Sequence, residues 1–126
     1  MFKISLNRVR DEIVIKEGDQ ELPLSVDSDA NSLVMRLKEA QKPMLSVNAD
    51  TTDEDKAKAA RNLAAAIFGN DQAEKLIDFY HGNPGSVAEI CGRYFENRLA
   101  KKITKAQIKA GNHEIRLWKH QQKRGR

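Results

Sequence analysis

The chain has 126 residues, of which 40 % are hydrophobic and 32 % charged, with a formal net charge of +4. That size fits one domain with a real core, and the composition excludes an intrinsically disordered chain. No apolar run approaches the ~20 residues of a membrane-spanning helix, the N-terminus lacks a cleavable signal pattern, and a single cysteine cannot form an internal disulfide. A reducing, cytoplasmic setting is therefore expected.

The first residues alternate: Phe2, Ile4 and Leu6 against Lys3, Ser5 and Asn7, the period of a half-buried strand. Ile13-Val14-Ile15 is β-branched throughout and favours a second strand. Gly18-Asp19 turns the chain, and Leu22, Leu24 and Val26 alternate again. Pro23 cannot donate to a ladder, so the third strand belongs at an edge. The prediction is a three-stranded antiparallel meander, or a hairpin over Ile13–Val26, with helices covering one face.

Helical spacing follows. Either Ser28 or Asp29 caps a helix carrying Ala30, Leu33, Val34, Leu37, Ala40, Met44 and Leu45, which ends near Gln41 or kinks there because of Pro43. Thr51 and Glu54 have capping-box spacing, and Asp53, Glu54 and Asp55 suit the positive end of the next helix, predicted over about Asp53–Phe68. It is alanine-rich and expected to bury Ala57, Ala60, Leu63, Ala64 and Ile67. Gly69 suits a left-handed residue past a helix end, and Asn70 a cap for a helix over about Asp71–Tyr80. Gly82, Asn83 and Pro84 repeat that stop and start, with Pro84 at the first helical position. A long final helix then aligns Val87, Ile90, Cys91, Tyr94, Phe95, Leu99, Ile103 and Ala106 in one stripe. Residues 1–112 are read as one α+β domain, an antiparallel β-hairpin or meander packed on four or more α-helices. Residues 113–126 are read as a basic tail, partly helical or disordered.

The charge is uneven. Residues 93–126 hold 11 Lys and Arg against two acids, whereas residues 1–92 hold 11 basic and 16 acidic residues. An acidic body with a basic end can attract an acidic partner or another copy head to tail, so a homo-oligomer is expected. Lys101, Lys102, Lys105 and Lys109 form the predicted basic surface. The stripe residues Phe95, Leu99 and Ile103 either complete the core or, past Leu99, meet a partner. Leu117 and Trp118 either anchor a partner or fold back over the helices.

Nothing in the chain points to catalysis. Cys91 lies on an apolar stripe as a small hydrophobe, and His81 sits at a helix end, where the dipole favours an imidazolium. His113 and His120 supply two ligands where a zinc site needs more, the acidic triplet lacks a calcium loop's glycine, and the glycines are scattered at turns. No metal and no cofactor is expected. A binding protein is the expectation, and a small basic nucleic-acid-binding protein using the last helix and tail is one form of it.

A family resemblance rests on the punctuation between the helices. Ala66-Ile67-Phe68-Gly69-Asn70, the helix Ala73-Glu74-Lys75-Leu76-Ile77-Asp78-Phe79-Tyr80, the turn Gly82-Asn83-Pro84 and a long, increasingly charged helix together resemble the tail assembly chaperones of long-tailed bacteriophages. The hairpin Ile13–Val26 and a helix like Leu33–Leu45 are similar too. The likeness runs from Ile13 to about Lys109 and leaves Ile115–Arg126 without a counterpart. It implies a protein of the bacterial host cytoplasm that is not an enzyme. Such a chaperone binds hydrophobic helical segments of the tape measure protein and recruits tail tube subunits, as the shorter of two forms related by a frameshift.

Overall fold

The computed structural model describes residues 8–108. The fold is α+β: a two-stranded antiparallel hairpin, β1 (Arg8–Glu17) and β2 (Gln20–Asp29), precedes helices α1 (Ala30–Leu45), α2 (Asp53–Phe68), α3 (Asn70–Phe79) and α4 (Pro84–Tyr94). A π turn over Phe95–Leu99 joins α4 to a continuing helix over 100–108. The strand expected over Phe2–Leu6 lies outside the described residues.

The hairpin closes through Gly18-Asp19, with Glu17 opposite Gln20. Gly18 has φ +60°, and Asp19 does not share that positive φ, as in a type II′ turn, whose twist matches the strands. The strands are longer than the apolar runs implied. β1 starts at Arg8, and its inward set is Val9, Asp11, Ile13 and Ile15, opposite Ser28, Val26, Leu24 and Leu22. The other face carries Arg8, Arg10, Glu12, Val14 and Lys16 and is exposed. This is the clean alternation of an antiparallel sheet covered on one side.

Helix boundaries follow local chemistry, with four corrections. Asp29 caps α1 by accepting from the Ser32 amide at 2.9 Å. α1 neither ends near Gln41 nor stops at Pro43 but runs to Leu45. Pro43 falls in the last turn, where it removes one helical donor, and the Ser46 amide still closes on the Pro43 carbonyl. The cap of α2 is Thr52, which accepts from the Asp55 amide at 3.1 Å; Thr51 instead accepts from the Asn48 amide in the preceding turn. Asn70 is the first residue of α3 and provides no side-chain cap; Gly69, at φ +86°, ends one helix and starts the next. Ala57 is exposed, and Ala59 takes the buried position. At the second junction Gly82 has φ +79°, its amide bonds the Ile77 carbonyl at 2.9 Å, and Asn83 accepts from the Ser86 amide with Pro84 at the first helical position.

The core lies between the inner hairpin face and the helices: Val9, Leu24 and Val26 meet Leu33, Leu37, Ala64, Ile67, Leu76, Val87 and Leu99. Phe68 stacks on Tyr94 with ring centroids 5.6 Å apart. Two polar side chains tie the layers together. The Arg36 guanidinium on α1 donates to the Ala66 carbonyl and to Ser28 Oγ, and the Gln72 amide grips the backbone of Ser25.

Candidate partner-binding surface

The residues expected to meet a partner divide. Leu99 has 0 % exposure and Ile103 6 %, so both complete the core, the first of the two alternatives open for the stripe, and neither is exposed to a partner in the single chain. Through Ala106 the apolar stripe of the final helix belongs to the same core cluster as Leu33 and Leu37 of α1. Phe95 is half-buried and remains reachable. Lys101 and Lys105 are exposed, whereas Lys102 is partly covered. Leu117, Trp118 and Lys109 lie outside the described residues, as do His113 and His120.

Sequence reasoning passed over the most elaborate polar site. Asp11 points inward from β1, its side chain only 3 % exposed. Arg98 donates to both its oxygens, Nε at 2.6 Å and Nη2 at 2.7 Å; Tyr94 Oη donates at 2.9 Å, and Lys102 Nζ stands 3.7 Å away. Tyr94, Arg98 and Lys102 recur at every fourth residue. The π turn between the first two, marked by an Ala100 amide bonding the Phe95 carbonyl, holds the three on one face. The hydrogen bonds from Arg98 hold the Asp11 carboxyl below its ordinary range against the opposing effect of burial. Burial and the adjacent carboxylate push the Tyr94 phenol up, which keeps it a donor. The break in the series Val9, Asp11, Ile13, Ile15 was the available signal: an acid at an inward position needs a cation. The consequence for the basic surface is direct. Arg98 and Lys102 are engaged by Asp11, whereas Lys101 and Lys105 meet no acidic side chain among the described residues.

Apolar concavity lies elsewhere, on both flanks of α1. One groove, of about 250 Å³, runs between α1 and the final helix and is lined by Val34, Leu37, Phe95, Ala100 and Ile103. The other, of about 610 Å³, runs between α1 and α2 along Met35, Ala40, Ala65 and Ala66. Met35 between them is 69 % exposed, and Leu45 at the helix end is more exposed still. α1 therefore presents unpaired apolar side chains between two apolar troughs, a form suited to an amphipathic helix. The stripe of the last helix, where the sequence pointed, supplies one wall.

Cys91 is fully buried, and burial pushes its thiol up to about 12, far from a reactive thiolate. His81 sits exposed in the left-handed turn after α3, at φ +55°. Among the described residues no group of three or more His, Cys, Asp or Glu is placed to hold a metal ion, and no helix is long and apolar enough to cross a membrane. The chain matches no protein-family model, no curated protein and no solved structure.

Proposed function

We propose that the protein is a phage tail assembly chaperone acting in the bacterial cytoplasm, holding apolar faces of helical tape measure segments until tail tube subunits replace it. The observation that carries the proposal is the pair of apolar grooves flanking α1 with Met35 exposed between them. An amphipathic helix offers anchors at spacings of three and four residues, and such anchors fit troughs between packed helices. The helix punctuation at Phe68-Gly69 and Gly82-Asn83-Pro84, which resembles that family, supports the same reading.

The test is co-expression with a phage tape measure protein. A soluble complex is expected with the unaltered chain. Met35→Asp and Thr104→Arg, which alter exposed groove positions and leave the core intact, should each abolish it while circular dichroism remains unchanged. A complex indifferent to both would remove α1 as the docking element. The nucleic-acid reading predicts instead a steeply salt-dependent affinity for DNA or RNA that Lys101→Gln with Lys105→Gln weakens. Tight binding of that kind at physiological salt would displace the chaperone reading.

A further inference from the structure

The two edges of the hairpin are treated differently. On β2 the Gln72 amide donates to the Ser25 carbonyl at 2.8 Å and its oxygen accepts from the Ser25 amide at 2.7 Å, imitating a neighbouring strand. Pro23 removes a further outward donor on that edge. This bonding also fixes which groups face out on β1. Ser25 lies opposite Glu12, so Glu12 occupies a pair that exchanges no hydrogen bonds within the hairpin. By the two-residue period, Arg8, Arg10, Val14 and Lys16 share that setting, and their amides and carbonyls point away from β2. No described residue pairs with this edge, and it carries no proline.

We propose that the β1 edge joins the β1 edge of a second copy of this chain, antiparallel about a two-fold axis at Val14, to make a four-stranded sheet. The side chains select that register. With Val14 opposite Val14 of the second copy, Glu12 stands opposite Lys16 of the second copy, and the symmetry repeats the pair; at the ends of the contact Asp11 stands opposite Glu17 of the second copy, with its charge already met by Arg98. Val14, 53 % exposed in the single chain, gains an apolar neighbour, and on the inner face Ile13 stands opposite Ile15 of the second copy. Shifting the axis to Glu12 would oppose two carboxylates and set Arg8 against Lys16; shifting it to Arg10 would oppose two guanidinium groups. Here Glu12 and Lys16 flank Val14 with opposite signs, which makes the edge self-complementary, as an isologous contact requires. The three outer pairs exchange about six backbone hydrogen bonds. In the single chain Lys16 meets the exposed Glu21 at 3.5 Å.

This inference does not rest on the chaperone reading and is tested on the full chain without any partner. Light scattering coupled to gel filtration, loaded at about 100 µM to capture a weak dimer, should give twice the 14.2 kDa of one chain. Val14→Pro removes an outward amide that β2 does not use, opposite a position already occupied by proline, and should leave a folded monomer. Glu12→Lys alone and Lys16→Glu alone place like charges in register and should each weaken dimerisation about tenfold. The double variant E12K/K16E restores opposite charges and should recover the dimer, a result specific to this register. A monomer at that concentration overturns the proposal. A dimer untouched by Val14→Pro, or a double variant no better than the single ones, overturns it equally.

Discussion

Asp11 and Asp27 sit on adjacent strands, both receive arginine, and both are held below the ordinary carboxylate range by those hydrogen bonds. They differ in which face of the hairpin they occupy. The Asp11 side chain is 3 % exposed and gathers Arg98, Tyr94 and Lys102 from a segment more than 80 residues away. Asp27 is 55 % exposed and meets Arg8 at 2.6 Å and Arg10 at 3.4 Å, neighbours on the partnering strand. The inner carboxylate has lost its water and depends on its partners. The outer one keeps its water, so its partners add little. The same functional group thus fastens the tertiary structure on one face and decorates the surface on the other.

The largest test of that contrast concerns the apolar residues beside Asp11. Leu24→Ala, on the inner face, should cost about 3 kcal/mol in denaturant unfolding, because it leaves a cavity against the helices. A cost no greater than that of an outer-face substitution would mean the hairpin is not part of the cooperative core. Next comes Asp11→Ala, which strands the buried Tyr94 hydroxyl and should cost about 2 kcal/mol, while Asp27→Ala should leave the unfolding midpoint nearly unchanged. Equal effects at the two sites would erase the distinction between the faces.

Acid titration sharpens it further. A carboxyl lowered on folding binds fewer protons in the native state than in the unfolded one. Its stabilisation is complete above the ordinary value of 3.8 and disappears as pH falls through the lowered folded value. The wild type should therefore lose stability below about pH 4, and Asp11→Asn should flatten that slope by up to ~1.4 kcal/mol per pH unit. Asp27→Asn should flatten it less, and its share should shrink as salt rises, since exposed pairs are screened. A slope unchanged by Asp11→Asn would remove the buried pair from the acid response. A modest effect, between those at Asp11 and Asp27, is expected at the other hairpin edge: Gln72→Ala should cost about 1 kcal/mol, because water can replace most of the grip on Ser25.

Much of the local structure was written in short-range chemistry. Gly82, Asn83 and Pro84 stop one helix and start the next because left-handed φ, a side-chain acceptor and a missing donor each fit one position, whatever surrounds them. The hairpin turn at Gly18-Asp19 and the helical stripe of α1 are equally local. Caps were less certain: Thr51 against Thr52, or Asn70 against Gly69, differ by one residue, and the preceding turn decides which side chain is free. The persistence of α1 through Pro43 likewise depended on how few helical bonds remained to lose.

The sequence by itself determined the α+β order, the helix punctuation and the presence of an apolar stripe on the last helix, because these depend on period and on residues within a turn of each other. Only the tertiary structure decided which side of that stripe is covered. Tertiary packing buries Leu99 and Ile103 within the core and leaves the open troughs beside Met35 and Phe95. It alone paired Asp11 with Arg98 and Lys102, removing two cations from a surface that looked uniformly basic. A charge's worth depends on the water around it and on the opposite charge it meets, and both are set by contacts between residues far apart in the chain.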